Sequence, residues 1–128
     1  MGYNALDLVL AAHLGEDGEG VRGLPWDAVP VLPAARAHGA VVHFVSHVEG
    51  TLSRVRRDVL EEMEGLASVM DMHVYPQFLD AGAPIQKTVD IRSDSGWAHL
   101  MNDNEEVFDR DYARLVELMK EMFEVEDE

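Results

Sequence analysis

Apolar and polar positions along the chain divide it into stretches of helical and of strand spacing. Leu6, Val9, Leu10 and His13 or Leu14 share one side of a first helix, which Asn4 or Asp7 caps. A glycine-rich acidic loop over residues 15–24 comes next, then Pro25, Pro30 and Pro33. Pro33 suits the start of a short helix and Gly39 its stop. Residues 40–48, rich in Val, His and Phe, read as a strand. From Gly50 and Thr51, Leu52, Val55, Val59, Leu60, Met63 and Leu66 recur at helical spacing and predict a helix with one apolar face.

Val69–Tyr75 alternates up to Pro76 and predicts a second strand. Ile85–Arg92 predicts a third, and Ser93-Asp94-Ser95-Gly96 has the composition of a hairpin turn leading into Trp97–Met101. Asn102–Glu105 resembles an amide-capped capping box, and the helix it opens is expected to run to about Val125. Phe108, Tyr112, Leu115, Met119 and Met122 mark its apolar stripe. The expected order is α-α-β-α-β-β-β-α: an α+β single-domain sandwich with an antiparallel sheet of about four strands and helices packed on one face.

Composition agrees with a folded chain: 128 residues, 47% hydrophobic, suffice for one core. The absence of cysteine excludes disulfides, thiolate zinc sites and thiol catalysis. The apolar stretch Leu8–Ala12 is short, comes after Asp7 and lacks a basic flank. A signal peptide or membrane span is therefore not expected, and a cytoplasmic location, or one within a virion, is.

Charge changes the picture most. The formal net charge is -15, with Lys87 and Lys120 the only lysines, and residues 102–128 hold eleven acids against three bases. Such a surface repels nucleic acid and anionic membranes and attracts cations or basic proteins. Neither direct nucleic-acid binding nor membrane binding is expected, and no cofactor is implied. High acid with little lysine also suits a saline habitat.

Four features are candidates for chemistry. Gly18–Gly23 matches G-x-G-x-x-G, but it comes after a helix rather than a strand and carries Glu19, so it reads as a loop. Arg54, Arg56 and Arg57 would sit in the positive first turns of the helix expected from Thr51. Either Arg54–Asp58 and Arg57–Glu61 pair along that helix, or the cluster meets an anion: a phosphate or the acidic C-terminal segment of this or a neighbouring chain.

Strand alternation supplies the third. With Val42, Phe44, Val48, Met70, Met72, Val74, Ile85, Val89 and Ile91 inward, the other face carries His43, His47, Asp71, His73, Asp90 and, with Ala98 inward, His99. Imidazoles and carboxylates there could bind a metal, with His43, His73 and Asp71 the candidate ligands, or do acid–base work. His43 and His47 lie about 13 Å apart on one strand and cannot share a metal. Ser46, Ser53 and Ser95 are near histidines in sequence, but none occupies a G-x-S-x-G turn.

The fourth is the last helix, whose broad apolar surface could bury against a partner or a second copy, with Glu124 and Glu126 beside it to attract basic groups. The composite expectation is a non-enzymatic protein-binding module: an assembly factor, a chaperone-like protein or a structural subunit. It would use Phe108, Tyr112, Leu115, Met119, Met122, Glu124 and Glu126 to hold a basic partner or to self-associate. An acidic decoy of a DNA-binding protein and a small metal-dependent enzyme or sensor built on the histidine face are the alternatives.

Overall fold

The computed structural model describes Val9, His13 and residues 36–126. The chain divides into two units, Met1–Ala34 and Ala35–Glu128. In the first, Val9 and His13 are helical, with His13 Nδ1 2.8 Å from the Val9 carbonyl. The rest of the first helix, the loop over 15–24 and the prolines after it lie outside the described residues.

The second unit is α+β, built from two antiparallel three-stranded sheets and two α-helices. Its elements are β1 His38–His43, β2 Gly50–Val55, α1 Arg57–Glu64, β3 Val69–Val74, a 3-10 turn at Pro76–Phe78, β4 Pro84–Ile85, β5 Gly96–Asn102, α2 Glu105–Met119 and β6 Phe123–Val125. One sheet has the order β1-β5-β3 and the other β4-β2-β6. The observed order therefore differs from the expected one, and two small sheets replace a four-stranded one. α2 packs on β5 and β1, and α1 on β3. Val42, Phe44, Leu52, Leu100, Leu115 and Met122 belong to one buried cluster that both sheets and α2 contribute to.

Several expectations are corrected. Residues 50–55 form a strand and not the start of a helix, because Arg56 has extended backbone (ψ 90°) and α1 begins only at Arg57. Leu52 and Val55 are buried from β2, whose partners are β4 and β6. The last helix stops at Met119. The chain turns at Lys120–Met122, and Phe123–Val125 returns as a strand against β2.

The strand expected over 85–92 is reduced to Pro84–Ile85. The Ser93 hydroxyl accepts from the Val89 and Asp90 main-chain N–H groups, and the Asp90 carboxylate accepts from those of Arg92 and Ser93. These local bonds occupy donors that a sheet ladder would need. Val89 and Ile91, expected inward, are left exposed. Ser93–Gly96 is thus no hairpin turn, and Gly96 opens the central strand β5. Gly39, expected to stop a helix, lies within β1. A register shift between Val69 and Asp71 turns Met70 outward instead of into the core.

Candidate functional site

The three-stranded sheet β1-β5-β3 turns Val42, Ala98, Leu100 and Val74 to the core, and alternation sends their neighbours to the other face. The register aligns His43 with Trp97 and His73 in one row, and Val41 with His99 and Asp71 in the next. Met101, opposite Gly39, closes the face at one end. Of the residues anticipated there, His43, Asp71, His73 and His99 do share this face. His47 lies beyond the end of β1, and Asp90 stands in the loop before Ser93.

Aromatic rings and imidazoles pack side by side on this surface. The Trp97 and His99 rings lie 4.4 Å apart, Trp97 and His73 5.9 Å, and His73 meets Tyr75 edge-on at 5.8 Å. Two imidazoles have carboxylate partners: His99 Nδ1 lies 2.8 Å from Asp71 Oδ1, and His43 Nδ1 lies 2.6 Å from Asp94 Oδ2. Asp94 is buried, and its charge acts on the Tyr75 hydroxyl. Burial first, then the charge of Asp94, pushes the Tyr75 hydroxyl above its ordinary pKa.

Among the described residues no group of three His, Asp or Glu side chains could hold a metal ion. The sheet explains why: His43 and His73 stand on strands either side of β5, about 10 Å apart at two strand spacings, and Asp71 faces His99. Neither Ser46 nor Ser95 is hydrogen-bonded to His43. Ser46 Oγ donates to the Val48 carbonyl and Ser95 Oγ to that of Phe44. Asp94 also lines a cleft of about 500 Å³, together with Tyr75, Gln77, Gln86 and Arg92.

The arginines divide. Arg54, on β2, makes a bidentate pair with Glu124 of β6, at 3.1 and 2.6 Å, so its anion is the acidic C-terminal segment of the same chain. Arg56 forks onto Asp58, at 2.8 and 2.6 Å, and lies 3.7 Å from Glu124. These contacts hold Asp58 down to about 2 and lower Glu124 below the usual carboxylate range. The expected Arg54–Asp58 pairing along a helix does not form. Of the three, only Arg57 lies in a helical first turn, beside Asp58.

The apolar stripe of α2 faces inward. Leu115, Met119 and Met122 are buried in the chain's own core and Phe108 packs against it, so these four are not a free partner surface. Tyr112 is exposed, Glu124 is paired with Arg54, and the Glu126 main chain bonds Thr51. Tyr75, Asp94 and Trp97 were not singled out by sequence reasoning. Asp94 sits in a stretch with turn composition and meets a histidine 51 positions away, so no local signal marks it.

Among the described residues no helix is long and apolar enough to cross a membrane. Comparison with protein-family models, with curated proteins and with solved structures finds no match for the chain.

Proposed function

We propose that the chain is a protein-binding module that docks a basic partner on the outer face of the β1-β5-β3 sheet. The observation that carries this reading is the exposure of Val41 (58%) and Met101 (49%) on the sheet face that also carries half-buried Trp97. Large apolar groups gathered on one face are what an interface core uses, with aromatic residues as anchors. The net charge of -15 favours a cationic partner and steers its approach. Relative to the sequence expectation, the docking surface moves from the last helix, whose stripe the core consumes, to the sheet.

The test is capture from nuclease-treated source lysate by the wild-type chain and by a Val41→Ser/Met101→Ser variant. A stoichiometric basic protein held by the wild type and lost by the folded variant supports the proposal. Equal capture by both, or none by either, removes it.

The His43–Asp94 contact favours a second reading, in which His43 exchanges protons with a bound substrate while Asp94 fixes its orientation. It requires a turnover that His43→Ala abolishes without unfolding the chain. Partner capture by that same variant at wild-type level would separate the two readings.

A further inference from the structure

Sheet edges are ordinarily blunted by shortness, bulges, proline or charge. Three of the four edges described are blunted in these ways. β4 is two residues long and contains Pro84, β6 is three residues long with Glu124 at its centre, and β3 has a register irregularity beside Asp71. β1 has none of these: it is six residues, His38-Gly-Ala-Val-Val-His43, without proline, bulge, Asp, Glu, Lys or Arg. The Phe44 N–H donates to the Gly96 carbonyl, so ladder alternation turns the main-chain groups of Gly39, Val41 and His43 away from β5. No described strand pairs with that side.

The charge around this edge is also exceptional. Residues 36–48 contain no Asp or Glu, although the chain has 25. Beside the edge runs a groove of about 360 Å³ against α2, lined by groups such as Val45, His47, Tyr112, Val116 and Lys120, with no carboxylate among its lining residues. For two chains of net charge -15 this is a surface where strand edges can meet without opposing carboxylates.

We infer that β1 pairs antiparallel with β1 of a second copy about a two-fold axis at Val41, joining two three-stranded sheets into one of six. The outward-turned main-chain groups fit that register: Val41 opposes Val41, and Gly39 opposes His43, where the glycine leaves room for the imidazole. Pairing over these residues forms roughly six main-chain hydrogen bonds. An isologous contact of this kind closes on itself, so the product is a dimer and not a fibre. This inference does not rest on the proposed partner. It rests on edge and charge, and its salt dependence has the opposite sign: screening relieves repulsion between like chains and weakens attraction to a basic protein.

Light scattering and sedimentation of the full chain, up to about 100 µM and from about 0.05 to 0.5 M salt, test it. A dimer that strengthens with salt is expected. Val41→Glu places two carboxylates across the axis and should raise the dissociation constant about tenfold or more. Val41→Thr, still β-branched, should leave the dimer in place, and circular dichroism and melting of each variant report folding independently. A wild type that stays monomeric throughout overturns the inference. So does a dimer that salt dissociates, or one that a folded Val41→Glu chain retains.

Discussion

Asp94 and His43 meet at 2.6 Å across 51 positions of sequence, with the carboxylate buried and the imidazole side chain 41% exposed. The contact ties the loop that enters β5 to the end of β1, and the charge of Asp94 also reaches Tyr75, just beyond β3. A buried carboxylate is tolerated only where hydrogen bonds replace water, and here His43 supplies one. Asp94→Ala leaves His43 without its acceptor and should destabilise the chain by about 1–3 kcal/mol. In urea unfolding, the His43→Ala and Asp94→Ala effects should be less than additive when combined. Simple additivity would show that the two groups do not act together.

At Gly96 the main chains of β5 and β3 leave no room for a side chain. A Cβ built there would overlap the His73 carbonyl oxygen and lie 2.9 Å from Val74 Cα, and the residue has φ +153°. The obstacle is main chain, which cannot swing aside as a side chain would. Gly96→Ala should therefore destabilise by about 2–4 kcal/mol, whereas Gly82→Ala, with nothing within 4 Å, meets only the local strain of its φ of +90°. Thermal melts of the two variants decide it: an equal or smaller loss at Gly96 would contradict this packing.

These two residues also show how far the sequence could be read. The shared face of His43, Asp71, His73 and His99 was legible because alternation alone determines it once Val42, Ala98 and Val74 are placed inward. Asp94 and Gly96 were legible only as turn chemistry. What gives them their roles is strand order, which brings residues 43, 73 and 94–97 together and leaves no trace in local composition. The helix–strand boundaries failed for a different reason. Leu52, Val55, Val59 and Met63 satisfy helical spacing straight across the extended Arg56, and Met119 and Met122 do so across the turn into β6. Periodicity of buried positions cannot distinguish a continuous helix from a strand and helix that pack on the same core.

The inward stripe of α2 carries its own prediction. Leu115 is fully buried and Tyr112 is 43% exposed, though both were expected on one partner-binding surface. Leu115→Ala should destabilise by about 2–5 kcal/mol, the range for deleting a buried leucine, and Tyr112→Ala by less than about 1 kcal/mol. Denaturant titration measures both. A stable Leu115→Ala chain that has lost only a binding activity would return the stripe to the partner surface.

Acid stability should depend on Asp111, which α2 presents almost wholly buried to the start of β3. Its Oδ2 accepts from the Ser68 main-chain N–H at 2.9 Å and from the Ser68 hydroxyl at 2.8 Å, while Arg110 forks onto Oδ1 at 3.0 and 2.8 Å. Burial is the largest influence and pushes the carboxyl pKa up. The bonds from Arg110 and Ser68 together outweigh it, so the folded value lies below the usual carboxylate range. A carboxyl depressed on folding contributes stability that is fully present above its unfolded value, about 3.9, and is lost as pH falls through the lower folded value. Asp58 and Glu124, depressed by their arginines at the surface, act in the same window. Asp111→Asn keeps the shape, can still accept a hydrogen bond from Ser68, and does not titrate. It should be less stable than wild type at neutral pH, with a shallower fall in unfolding free energy below about pH 4. Urea titrations across that range measure both slopes, and identical slopes would show that Asp111 is not depressed by folding.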